Sequence, residues 1–312
     1  MTPENARLVS DLRTRAHPDE PEDWVVVMHT WLHPTPGYAR ERFIVDLDGE
    51  PIGMARHLHP VELKADSYSS VQVYLVPEAA TAERLAEVYE FIEGRTVADG
   101  VKTMETGIHQ DDQAQSSALV SRGWRRDRVA KVWELDLVRH RERLLEIADE
   151  SRSKLKEQGI RCLTLAADTD PQRHVKVHEM LERAVQDIPT TLPIRPAPLS
   201  EFMANLASPD IDESRFWVAR DGDRCVGLSH LRYPPVSGNV WTGITATSRE
   251  YRGRGIARGV KMETLVQAIE LGIPRVRTDN DEENAPMLHI NKTLGYDSIP
   301  SHQSYIKKLE WT

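Results

Sequence analysis

The chain is poor in cysteine, has no long apolar run and carries no excess of positive charge. Its 312 residues hold two cysteines, Cys162 and Cys225, fewer than a secreted disulfide framework needs. Both stand in apolar, strand-like stretches and read as buried free thiols. No apolar run approaches the ~20 residues that span a bilayer. The opening Met1-Thr2-Pro3-Glu4-Asn5 lacks the charged-then-apolar pattern of a secretory leader. A cytoplasmic location without a membrane partner is therefore expected. The net charge of −9 argues against nucleic acid as partner, because neutralising phosphates requires a basic surface. The same charge suits a cationic small molecule.

What is present fits a globular protein, with 39% hydrophobic and 29% charged residues. The length suits two units of about 150 residues each, and the order of elements repeats. In the second half, 215–220 and 224–231 read as strands around the turn Asp221-Gly222-Asp223, and 240–247 as a third strand. A glycine-rich turn and a helix over 256–271 follow, stopped by Gly272 and Pro274. Then come a short strand at 275–278, a helix over 284–293 ended by Gly295, and a last strand at 303–309. In the first half, 42–46 and 52–57 flank Asp48-Gly49 as a hairpin, and 70–76 is a strand. The run 81–97 has Leu85, Val88, Tyr89 and Ile92 at helical spacing. A strand at 102–107, a helix at 111–121 and a strand at 128–137 close that half.

The charged stretch 138–158, with Leu144, Leu145 and Ile147, reads as a helical connector with a solvated face. The second half would open with a strand at 160–167 and a helix at 171–185, and the proline-bearing 188–198 reads as an irregular loop. The fold class expected is α/β (α+β): two tandem units, each a mixed central sheet flanked by helices. The boundaries are drawn as 1–140, a connector at 141–158, and 159–312.

The chemistry concentrates in Arg252-Gly253-Arg254-Gly255-Ile256-Ala257, between a strand and a helix. Glycines there let successive N–H groups point into one cavity, and the new helix adds its positive end. That arrangement binds a pyrophosphate, and the arginines add charge. A Walker loop would need Gly-Lys-Ser/Thr, which is absent. Gly253, Gly255 and Gly259 with Asp279 come near a dinucleotide fingerprint. Against it stand the two arginines, the hairpin strands before the loop, and the little chain left after Asp279.

Arg252-x-x-Gly255-x-Ala257 resembles the Gln/Arg-x-x-Gly-x-Gly/Ala signature of the GNAT superfamily of N-acetyltransferases. The downstream Thr278-Asp279-Asn280, Asn284, Pro286-Met287, Asn291 and Leu294-Gly295-Tyr296 resemble its second acetyl-CoA motif. The likeness is good over 215–309, looser over 160–312 and weak over 1–137. Length and layout resemble bacterial two-unit members. The resemblance implies a direct acetyl transfer from acetyl-CoA, as co-substrate, to the amine of a small molecule, with no metal. Thr245, Ala246 and Thr247 would pair with the pantetheine arm, and an N–H near 244–245 would hold the thioester carbonyl. Asn280 and Asn284 would bond pantetheine amides or the opened strand.

One departure matters. Where many members carry a Tyr that protonates the leaving thiolate, this chain has Asn291. An amide orients but is no useful acid at neutral pH. Either CoA leaves as a thiolate with Asn291 as donor, or water, His289 or Tyr305 serves; His289 is expected on the outer face of its helix. No general base stands out, with Glu213 and His230 the candidates. His57 and His59 alternate on a strand with His33 upstream, yet no Cys or carboxylate stands at ligand spacing. The first half has Val76-Pro77-Glu78-Ala79-Ala80-Thr81 in place of the loop, so it is expected to be degenerate. The rival to an enzyme is a non-catalytic acetyl-CoA sensor. The identity of the acceptor is not legible.

Overall fold

The computed structural model describes residues 2–64, 67–191 and 194–309. The first half contains α1 (Pro3–Ala16), α2 (Trp24–Leu32), β1 (Tyr38–Leu47), β2 (Glu50–Pro60), β3 (Tyr68–Leu75), α3 (Ala82–Ala98), β4 (Thr103–His109), α4 (Gln113–Ser121) and β5 (Arg125–Asp136). The second contains α5 (Arg141–Glu157), β6 (Arg161–Thr164), α6 (Arg173–Val185), α7 (Leu199–Leu206), β7 (Phe216–Asp221), β8 (Arg224–Arg232), β9 (Trp241–Thr247), α8 (Ile256–Glu270), β10 (Arg275–Asp281), α9 (Ala285–Leu294) and β11 (Asp297–Lys308). Among the described residues two compact units emerge: those of 2–131 with 236–238 and 300–309, and those of 132–235 with 239–299. Among the described residues no helix is long and apolar enough to cross a membrane.

In the first unit, helix α1 starts where Thr2 caps the Asn5 N–H and Pro3 takes the first helical position. Asp23 caps α2 in the same way. Neither helix is among those expected from periodicity. Strands β1 and β2 form the expected hairpin, turning at Asp48 and Gly49 with φ of 55° and 86°. Strand β3 alternates buried and half-buried residues at every step. The sheet runs β1-β2-β3-β4-β11, with β11 antiparallel to β4. Its core joins Val71, Val73, Tyr89, Ile92, Met104 and Leu119.

The second unit's sheet runs β5-β10-β9-β8-β7-β6. Helix α8 is buried on most of its circumference, from Ile256 to Ile269. Helix α5 packs on it closely, because a Cβ at Gly259 would lie 2.3 Å from Leu155 Cδ1. Arg152 of α5 holds the carboxylate of Glu263 through two bonds of 2.8 Å. Segment 141–157, read from its charges as a connector, is a packed helix with Leu144, Ile147, Ala148 and Leu155 inward. The compact units depart from chain order. Residues 300–309 lie with the first unit, while residues 132–136 of β5 and all of α5 lie with the second. A strand's partner is set by packing across the chain, which local periodicity does not encode.

Candidate active site

The site begins with two parallel strands that part. Among the described residues the β9–β10 ladder holds one pair, Arg277 with Trp241. Both strands run on beyond it, β9 to Thr247 and β10 to Asp281. A cavity of about 920 Å³ opens past the end of β9, lined by Thr245, Ala246 and Thr247. The Thr247 hydroxyl is buried without a hydrogen-bond partner. Thr245 shares its hydroxyl with Ser229 at 2.9 Å.

The chain leaves β9 through a short turn, Arg249–Tyr251, and enters the glycine loop. Gly253 and Gly255 take φ of 76° and 86°, a region that only glycine occupies cheaply. Gly255 is the N-cap of α8, and no side chain caps that end. The first N–H groups of α8 thus have no side-chain cap, at the positive end of the helix dipole. Gly253, Gly255, Ile256 and Ala257 line the cavity.

The two loop arginines are placed differently. Arg252 lines the cavity and pairs with Asp187 at 2.7 Å. Hydrogen bonds from Arg249 and Arg252 hold the Asp187 carboxyl below its usual range. Arg254 donates to Gln158 at 3.0 Å and lies over the Tyr251 ring, so it braces the loop. Gln158 returns a bond to the Arg254 carbonyl at 3.1 Å.

Two cations at the cavity were missed in the sequence. Lys154 of α5 lies over the loop, its Nζ 4.0 Å from where a Gly255 Cβ would be. Its signal was hidden in a charge-rich helix whose orientation the sequence does not give. Arg258, on the first turn of α8, lines the cavity with its Nε buried and unpartnered. Its position one turn past Gly255 was a readable signal.

Helix α9 closes another wall. Asn284 lines the cavity and caps α9, accepting the Met287 N–H at 3.4 Å. His289 lines it too, contrary to the outer-face expectation. The cavity takes in Asn284, Pro286, Met287, His289 and Ile290, so α9 presents an end and not one stripe. Asn280 and Asn291 are absent from the cavity lining. Asn291 is fully buried and donates to Asn280 Oδ1 at 2.7 Å, and its own Oδ1 has no partner. This pair ties α9 to the end of β10.

The remaining candidates fall elsewhere. His230 stacks flat on Phe216 at 4.6 Å, and burial pushes it down to about 4, so it is neutral at physiological pH. The absent Cβ of Gly243 makes room for its ring, which a Cβ would meet at 2.1 Å. Glu213 is engaged by His174 at 3.0 Å. Tyr305 belongs to the first unit, where it bonds Ser116 at 2.9 Å. Burial pushes the thiols of Cys162 and Cys225 up to about 12 and about 11, which suits packing and not nucleophilic attack.

The first unit's counterpart of the loop is built to close. Thr81 caps α3 by accepting the Arg84 N–H at 3.2 Å, and Arg84 donates to the Ala79 carbonyl at 2.6 Å. Glu78 pairs with Arg15. A smaller cavity of about 420 Å³ lies beside β3, lined by His17, Tyr74, His109 and Asp112 among others.

Residues 183–296 match the model of the Acetyltransferase (GNAT) family. A tandem GNAT protein from the clavulanic acid biosynthesis pathway has the same fold, with a TM-score of 0.70, 17% identity, and coverage of 99% of this chain and 96% of that one. A GCN5-related N-acetyltransferase from Sphaerobacter thermophilus follows at 0.68 and 18%, covering 99% and 94%. A glucosamine N-acetyltransferase region of a fungal multi-domain β-N-acetylglucosaminidase gives 0.70 and 14%, over 97% of this chain and 37% of that one. At these identities the likeness establishes the fold. No curated protein matches the chain in sequence.

Proposed function

We propose that the second unit, whose residues 183–296 match the Acetyltransferase (GNAT) family model, binds acetyl-CoA and passes its acetyl group directly to the amine of a small molecule, while the first unit binds no CoA. The observation that carries this reading is the contrast between two helix starts. Helix α8 is uncapped, preceded by positive-φ glycines and open to a cavity. Helix α3, at the matching place in the first unit, is capped by its own Thr81.

The donors suit a pyrophosphate. The start of α8, Lys154 and Arg258 all stand on the wall of this cavity, a donor set that two phosphates would use. Arg252 would answer the outer phosphate by exchanging part of its pairing with Asp187. Backbone groups of Thr245, Ala246 and Thr247 would take the pantetheine arm as an added strand. Acetyl-CoA supplies the activated acyl carbonyl. An N–H near 244–245 would steady the oxyanion as the amine attacks. The thiolate is a tolerable leaving group because thiol pKa values lie near ~8.5. Asn291 would act through Asn280, holding the end of β10 in place. Glu150 and Glu283 on the cavity wall suit a cationic acceptor. A cytoplasmic setting, where two free thiols persist, belongs to the same proposal.

The test pairs calorimetry with turnover. One equivalent of acetyl-CoA should bind per chain, and thiol release should appear with at least one member of a panel of primary amines. Two equivalents would refute the assignment of units. Tight binding without turnover across the panel would make the chain a sensor.

A further inference from the structure

Strand β2 carries His57 and His59 two residues apart, which puts both imidazoles on one face of the sheet. Both are buried, at 0% and 8% exposure, and their rings lie 5.6 Å apart within 19° of parallel. Asp99, at the C-terminal end of α3, brings its Oδ2 to 3.3 Å from His59 Nε2 and 3.7 Å from His57 Nδ1. The three atoms form one group. His33, the third histidine that the spacing brought forward, is stacked on His29 instead.

The far nitrogen of each ring faces an acceptor. His57 Nε2 lies 3.1 Å from Glu41 Oε2, and Arg95 fixes that carboxylate through bonds of 2.8–3.0 Å. His59 Nδ1 lies 2.9 Å from the Pro60 carbonyl. A carbonyl only accepts, so the proton of His59 sits on Nδ1, and Glu41 draws that of His57 to Nε2. The nitrogens turned toward Asp99 then bear lone pairs. Three lone-pair atoms meet, and His57 Nδ1 and Asp99 Oδ2 are both buried without a hydrogen-bond partner. One extra proton would serve the His59–Asp99 contact and leave His57 Nδ1 unanswered, since 3.7 Å is beyond hydrogen-bond reach. A single cation among the three answers all of them. Tetrahedral zinc with ligands at ~2.0–2.1 Å separates those ligands by about 3.4 Å, close to the 3.3 and 3.7 Å from Asp99 Oδ2 to the two ring nitrogens.

We propose that His57 Nδ1, His59 Nε2 and Asp99 Oδ2 bind one divalent transition-metal ion of the zinc class, with Glu41 and the Pro60 carbonyl orienting the two histidines. A water or a further oxygen would complete the four positions around the ion. The ion fastens the end of α3 to β2 and gives the first unit a structural role that does not depend on CoA. A carboxylate that holds a ligating histidine by its other nitrogen is the usual outer partner of such sites. The other histidine cluster differs. Glu20 spends one carboxylate oxygen on His302 at 3.2 Å and the other on His109 at 3.5 Å, so its atoms answer one another.

The test uses the full chain, stripped with a chelator and titrated with Co²⁺ and then Zn²⁺. One equivalent of Co²⁺ should give the visible bands of tetrahedral coordination, and Zn²⁺ should displace it. His59→Ala and Asp99→Asn, shown folded by circular dichroism, should bind at least 100-fold more weakly. Glu41→Gln should lose about 10–100-fold, and His109→Ala should bind as the parent does. Zn²⁺ should raise the melting temperature of the parent and not of Asp99→Asn. A folded parent that binds no Co²⁺ overturns the proposal. So does undiminished binding in Asp99→Asn, or loss of binding in His109→Ala, which would move the ion to the other cluster.

Discussion

Lys261 offers the sharpest test of the second unit's packing. It sits on α8 with 0% exposure, its Nζ 3.4 Å from the Thr242 hydroxyl and 5.0 Å from the centre of the Tyr296 ring. Burial, partly offset by the charge of Asp279, pushes the amine from 10.5 down to about 7. The unfolded chain keeps the ordinary value, so between pH 7 and 10.5 it binds a proton that the folded chain refuses. Stability therefore rises with pH across that window. The cost of burying the amine is fully present below pH 7 and gone above 10.5. The gap between 10.5 and about 7, at ~1.36 kcal/mol per pH unit, is about 5 kcal/mol. Lys261→Met keeps an unbranched chain and removes the proton. Urea unfolding of both proteins from pH 6.5 to 10.5 should show the variant more stable at pH 7 by several kcal/mol. The margin should shrink steadily toward pH 10.5. A margin that is the same at pH 7 and 10.5, or a less stable variant throughout, would refute the reasoning.

Gly255→Glu should weaken acetyl-CoA binding by at least tenfold, about 1.4 kcal/mol. The nearest atom to a Cβ there is 3.9 Å away, so the variant carries only backbone strain and stays folded; unchanged affinity by calorimetry would remove the loop from the site. Lys154→Ala should raise the Kd for acetyl-CoA by about 10- to 150-fold and flatten its salt dependence, since a hydrogen bond to a charged group is worth about 1.5–3 kcal/mol. A titration at two ionic strengths checks this, and an identical salt slope would count against it. Asn291→Ala should lower kcat by at most about tenfold, because one neutral hydrogen bond contributes about 0.5–1.5 kcal/mol. A loss of several orders of magnitude at unchanged acetyl-CoA affinity would mean that the amide meets the reacting atoms.

Much of the second unit was legible because its signals are local. Gly253 and Gly255 announce positive φ, Asn284 announces a helix cap, and Gly295 at φ 91° announces the end of α9. The alternation in β3 and the helical spacing in α3 come from burying one face of each element, and a short window of residues shows it. Helices α1 and α2 carried caps at Thr2 and Asp23, signals that apolar spacing alone passed over.

By itself, then, the sequence determined where elements start and stop, which turns need glycine, and that one strand-to-helix loop carries positive-φ glycines while its counterpart does not. Backbone sterics and the reach of a side chain within one turn settle those matters over a few residues. Tertiary structure alone decided which residues meet. It set Lys154 over Gly255, buried Asn291 against Asn280, and assigned the end of β11 to the first unit. It also carried Asp99 to His57 and His59. Such meetings join residues far apart in the chain, and only the packing of the whole unit fixes the distance between them.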